Sequence, residues 1–234
     1  EVSGFRNVAV GSQAGGSQNG GTNNTLVGYL AGGAITTGDV NTFIGSDCGD
    51  ATTTASNNTG VGQAALGANT TGAQNVAVGQ AALDANTTGG DNTAIGVDAL
   101  GGNTTAANGT AVGHQALTAN TTGTGNTAVG ANALDANTTA AYNAAFGQDA
   151  LTANTTGTEN TSIGTFSMVN STTGSYNTAV GAGALFSSSE GADNVAIGLE
   201  AMRNTQASDN TAVGYKALKE SDGAGNTGIG HSAG

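Results

Sequence analysis

The sequence predicts an all-β parallel β-solenoid, a β-roll of about fourteen 17-residue coils, on three observations. The pentad Asn-(Thr/Val)-Ala-(Val/Ile)-Gly recurs in strict phase, its fourth place is apolar in every copy, and the composition is rich in glycine and free of proline. Copies begin at residues 7, 24, 41, 58, 75, 92, 109, 126, 143, 160, 177 and 194 in steps of 17, then at 210 and 226 after steps of 16. A fixed period of this length marks a repeat architecture, with one repeat domain expected over residues 1–234. The full unit reads N-T-A-V-G-x-x-A-L-x-A-N-T-T-G-x-x.

Taken in order, the second and fourth places alternate around a small third residue, the mark of a short strand. The fourth-place column, from Val10, Val27 and Ile44 to Val213 and Ile229, is expected in the core or between chains. The glycine that follows, as at Gly11, Gly28, Gly45 and Gly62, permits a tight bend and ends the strand. Ala-Leu pairs such as Ala65-Leu66 and Ala82-Leu83 supply a second strand and a second apolar column. Glycine replaces this leucine at Gly15, Gly32 and Gly49, and methionine at Met168 and Met202, so packing there changes along the axis. Asn-Thr-Thr-Gly, as at residues 69–72, makes the second corner, where asparagine tolerates left-handed geometry. Seventeen residues are too few for two helices, which excludes helical repeat arrays. In-register stacking at about 4.8 Å per coil predicts a rod of roughly 65 to 70 Å, with asparagine at the first place forming an amide ladder.

The 234 residues include 41 Gly, 36 Thr and 26 Asn, and aromatics are only 4% and charged residues 9%. Such a composition is also that of disorder, but disordered chains need no apolar residues in phase over fourteen copies. The net charge is −12 and the only cations are Arg6, Arg203, Lys216 and Lys219, which argues against nucleic acid as a partner. The same balance disfavours an anionic membrane surface, and no run of 18 apolar residues predicts membrane insertion. The one cysteine, Cys48, excludes an intrachain disulfide. With no apolar export segment at Glu1 and the repeat already running at Asn7, the chain reads as an excised or mature fragment.

No catalytic, cofactor-binding or metal-binding residue is predicted, and the expectation is a protein that is not an enzyme. His114 and His231 stand at variable sixth places and read as exposed turn residues. Cys48 replaces the alanine of an Ala-Leu pair and reads as a small apolar side chain. Asp47, Asp98 and Asp149 share one place and Asp84 and Asp135 another, each set spaced 51 residues apart. Three coils put equivalents about 14 Å apart, too far to share a cation or a proton. Calcium-roll, EF-hand and zinc signatures are absent, as are the phosphate-loop and dinucleotide fingerprints, so the glycines read as turns and no cofactor is called for. The N-x-[ST] matches at Asn69, Asn86, Asn103, Asn120, Asn137 and Asn154 follow from the repeat itself. The sharpest functional hint is a pair of threonine columns: Thr70, Thr87, Thr104, Thr121, Thr138 and Thr155, beside Thr71, Thr88, Thr105, Thr122, Thr139 and Thr156. A flat, regularly spaced threonine array suits ice binding; threonine is equally a good β-former that bonds along a stack.

The N-T-A-V-G-x-x-A-L-x-x-N-T-T-G units resemble those of phage tail-fibre-like proteins, over almost the whole chain. More loosely they resemble the N-S-V-A-I-G-x-x-S units of trimeric autotransporter adhesin heads, whose coils are a little shorter. The resemblance implies a left-handed roll, three chains side by side, and an extracellular place on a virion or a bacterial surface. It also implies a cell-surface glycan or protein receptor, engaged through a tip domain outside this chain. A homotrimer has its own argument: the core is thin, and a leucine row either fills it in a monomer or faces a neighbouring chain. The expected function is therefore a structural or adhesive shaft segment of an extracellular fibre, with ice binding as the alternative.

Overall fold

The computed structural model describes residues 6–234 and is a parallel β-solenoid of fourteen strands at about 17 residues per turn. The chain divides into two compact units, Glu1–Thr122 and Gly123–Gly234. The first carries β1 (Val8–Val10), β2 (Thr25–Val27), β3 (Thr42–Ile44), β4 (Thr59–Val61), β5 (Val76–Val78), β6 (Thr93–Ile95) and β7 (Thr110–Val112), paired parallel in that order. The second carries β8 (Thr127–Val129), β9 (Ala144–Phe146), β10 (Thr161–Ile163), β11 (Thr178–Val180), β12 (Val195–Ile197), β13 (Thr211–Val213) and β14 (Thr227–Ile229), likewise in order.

Within each unit equivalent places pair, Thr59 with Val76 and Thr161 with Thr178, for example. The two 16-residue steps keep this register, since Val195 still pairs with Thr211 and Thr211 with Thr227. In the coil from Asn194 to Asp209 the missing residue comes out of the threonine corner, because the Asn194 amide reaches Ala207 O across 13 residues where its counterparts span 14.

Each coil has one strand, not the two expected. The Ala-Leu half is irregular because its seventh and ninth places are left-handed: φ is +54° at Ala81 and +52° at Leu83. A side chain resists that region, so an isolated leucine would avoid it at a cost of about 1–2 kcal/mol. Stacking holds it there, for Leu83 N–H donates to Ala99 O at 3.0 Å and Ala81 N–H to Gln63 O at 3.0 Å. The fifth-place glycine answers two demands. At Gly62 φ is +140°, and a Cβ would also overlap the carbonyl of Gly79 in the next coil.

Of the two places expected for the fourth-place column, the core is excluded by the facing of the strand. Its middle residue points inward, with Ala77, Ala94 and Ala111 fully buried, and the fourth-place column points out, with Ile44, Ile95 and Phe146 each 40–42% exposed. The core is thin: a leucine at the ninth place, Leu83 or Leu100 for instance, fills it and leaves room for only a methyl at the third. In two coils whose ninth place is glycine the third grows to compensate, Leu26 with Gly32 and Phe43 with Gly49, since interiors are filled to near-crystalline density.

Two asparagine ladders line this core. The one expected at the first place exists: Asn41 Nδ2 donates to Asn24 Oδ1 at 3.1 Å and Asn92 Nδ2 to Asn75 Oδ1 at 3.1 Å. The second, at the twelfth place, comprises Asn86 to Asn69 and Asn103 to Asn86, both at 2.9 Å, and in the other unit Asn154 to Asn137 at 3.0 Å. A backbone carbonyl at the fifteenth place joins the two, as Gly89 O accepts Asn75 Nδ2 at 2.9 Å and Asn86 Nδ2 at 3.0 Å. Burying an amide is costly unless it is so satisfied.

Candidate functional site

The threonine columns separate by role. At the thirteenth place Thr70 Oγ1 donates to Thr87 O at 2.9 Å, Thr87 to Thr104 O at 3.0 Å, Thr104 to Thr121 O at 3.0 Å, and Thr155 to Thr172 O at 3.1 Å. These side chains are half-buried, as are Thr121 and Thr138, and such hydroxyls serve the stack. The fourteenth-place column, Thr71, Thr88, Thr105, Thr122, Thr139 and Thr156, is exposed. The predicted double array is thus one exposed column beside one committed to the backbone. Asn69, Asn86, Asn103, Asn120, Asn137 and Asn154 are buried, so the glycosylation-type matches are inaccessible in the folded chain.

The outward sheet face carries the fourth-place column, which sequence reasoning placed in the core or between chains. Its columns are half-buried second-place residues, mostly threonine, and fourth-place Val, Ile or Phe, with no charged residue in either. In the first unit Ile44, Val78 and Ile95 are exposed, and in the second Phe146, Ile163, Ile197 and Ile229. A signal for this was present: the third place trades size with the ninth, while the fourth stays β-branched or aromatic in every coil. Conversely, the leucines lie inside the chain and do not face a neighbour, Leu66, Leu83 and Leu134 being fully buried.

The remaining candidates behave differently from one another. Cys48 is buried, and desolvation pushes its thiol up to about 12, which makes it inert as a nucleophile in the fold. His114 is exposed; His231 is exposed and its ring lies 4.9 Å from that of Tyr215. The aspartates are closer to one another than their shared places suggest, because the tenth place of one coil faces the seventh of the next. Burial, then Asp98, raises the Asp84 carboxyl above its ordinary range, and burial, then Asp149, does so for Asp135. Burial, then Asp47 three residues earlier in the same coil, raises Asp50 as well. Among the described residues no group of three or more His, Cys, Asp or Glu is placed to hold a metal ion, and no helix is long and apolar enough to cross a membrane.

One stretch of the second unit departs from the repeat. The seventh and tenth places, which earlier carry Gln, Ala, Gly or Asp in most coils, and the variable sixth become Phe166, Gly183, Phe186, Leu199, Glu200 and Arg203. They line an open groove of about 220 Å³ together with Thr165 and Ala182. Arg203 lies 4.5 Å over the Phe186 ring and bonds Glu200 Oε1 at 2.7 Å, while Lys216 and Lys219 stand 3.6 and 3.9 Å from Glu200 Oε2. Three of the chain's four cations therefore gather around one carboxylate. Comparison with family models, with curated proteins and with solved structures gives no match.

Proposed function

We propose that this chain is a structural, adhesive shaft segment of an extracellular fibre, a phage tail fibre or a bacterial surface adhesin, built as a homotrimer. The observation that carries the reading is the uncharged outward sheet face. A chain with net charge −12 presents there a column of Val, Ile and Phe with no charge among them, the kind of continuous apolar stripe that marks an assembly surface. Three copies packing these columns together bury the stripe and leave the aspartates in water. The coil-to-coil hydrogen bonds and twin asparagine ladders give each unit its stiffness, and repetition gives multivalent display. The resemblance of the units to tail-fibre and adhesin-head repeats supports the same reading, which includes no catalytic step.

Light scattering on the purified chain tests it. The expected mass is three times that of the chain, falling to one in Ile95→Lys/Ile163→Lys with the circular dichroism unchanged, because both side chains point outward. A monomeric wild type at micromolar concentration sinks the trimer.

Ice binding is a second reading, supported by the exposed threonine column from Thr71 to Thr156 and by the Thr and Val columns of the strands. Thermal hysteresis distinguishes the two. Its absence, or an ice-growth habit unaltered by Thr88→Tyr/Thr105→Tyr, ends that reading.

A further inference from the structure

We propose that the groove over Phe166, Gly183, Phe186 and Arg203 is a binding site for a single acidic sugar ring, a uronic acid or its equivalent on a surface polysaccharide. The site adds a ligand to the shaft reading and does not rest on it.

The notch exists because Gly183 interrupts a column of larger residues, Phe166 before it and Glu200 after it. A Cβ at Gly183 would sit 3.5 Å from Arg203 Nη1 and 4.0 Å from Phe186 Cδ2, so guanidinium and ring form the walls of the space it leaves. Phe166 and Leu199 are 44% and 49% exposed, which keeps an apolar shelf in contact with water. At about 220 Å³ the space is below the range of sites for drug-sized ligands, so one ring is what it holds.

Charge selects an acid. Among the described residues Arg203 spends Nη1 on Glu200, and its Nε and Nη2 make no hydrogen bond; Lys216 and Lys219 offset the Glu200 charge. A carboxylate on the ligand would take the free edge of the guanidinium in a charge-assisted contact. Openness selects a sugar over an aromatic acid. A pyranose lays its C–H face on the Phe186 and Phe166 shelf and keeps its hydroxyls hydrated, whereas an aromatic ring would leave half its apolar surface in water.

The test is amide chemical-shift titration of the full-length chain with sodium glucuronate, with glucose and sodium benzoate as comparison ligands. Saturable shifts are expected at Phe166, Gly183 and Arg203, with half-saturation on the order of 1–10 mM, as befits one ring on an open surface. Glucose should bind about tenfold more weakly or worse, and Arg203→Gln should weaken glucuronate about tenfold. Gly183→Leu should abolish the shifts; the same place accepts Leu30 at φ +54°, and unchanged amide signals elsewhere show that the variant is folded. The proposal is overturned by no saturable shift up to about 100 mM glucuronate, by glucose binding as well, by benzoate binding more tightly, or by an unaffected Arg203→Gln. A monomeric mass in light scattering would end the trimer reading and leave this result untouched.

Discussion

Phe43 occupies the space that a side chain on Gly49 would need: a Cβ at Gly49 would lie 2.5 Å from Phe43 Cε2. The pair is the inverse of Ala94 and Leu100 in a later coil, where the small residue is on the strand and the large one at the left-handed ninth place. Each arrangement fills the same thin core.

An exchange of the two sizes follows. Phe43→Ala alone should destabilise by about 3–5 kcal/mol through the cavity it leaves. Gly49→Leu alone should overpack against the Phe43 ring. The double variant should recover most of the loss, since Gly49 already has φ +59°, close to the +50° of Leu100. A double-mutant cycle by chemical denaturation measures this; strictly additive effects would rule out a shared volume.

The twelfth-place ladder stops for lack of reach. Asn154 donates to Asn137, but its own Oδ1 has no donor, because the next coil offers Ser171, whose buried hydroxyl is also unpartnered. Ser171→Asn should extend the ladder by one coil, give Asn154 Oδ1 a donor in place of the unpartnered serine hydroxyl, pass the open acceptor on to the Ser188 coil, and stabilise by about 1 kcal/mol. A rise of about 2–4 °C in melting temperature is the expected reading, and a fall would show that the site lacks room.

Acidification should stabilise this protein at first. Asp50, Asp84 and Asp135 have carboxyl pKa values raised above the ordinary range, with burial the largest cause in each. A raised acid pKa means that the folded state holds the proton more tightly than the unfolded one. The destabilisation is then complete above the folded pKa and is relieved as pH falls through it towards the ordinary carboxylate value. Melting temperature should therefore increase between neutral pH and the upper edge of the carboxylate range. Asp84→Asn/Asp135→Asn should be more stable than wild type at pH 7 and show a flatter profile; a double variant with the wild-type slope would assign the effect to net charge alone.

Excision of residues 75–91, one unit from asparagine to the next, should leave a folded protein, because every ladder rejoins at its own place. Excision of residues 75–82 should not, since it sets leucine and asparagine places against the strand. Equal unfolding midpoints for the two would count decisively against phased stacking.

The period, the glycine bends and the first-place ladder were legible because each needs a residue type with few substitutes: glycine where φ is +140°, an amide where one group must donate and accept along the stack. The facing of the strand was not. Hydrophobicity alone sends Val61 or Ile95 inward and treats Ala94 as neutral, and only the thickness of the coil reverses that order. The left-handed leucines were hidden for a similar reason: nothing local favours φ +52° at Leu83, and its hydrogen bond belongs to the neighbouring coil. The groove at Arg203 was not read from the sequence, because its residues are scattered there and only three stacked coils place them side by side.

Those left-handed residues have a kinetic meaning. The coil from Asn75 carries three that are not glycine, Ala81, Leu83 and Asp91 at φ +54°, +52° and +59°, and a lone coil would meet their strain with no stacked neighbour to receive its amides. A turn of this chain therefore becomes favourable only upon a turn already formed, so each unit should assemble as a crystal grows, slow to seed and fast to extend from an existing edge.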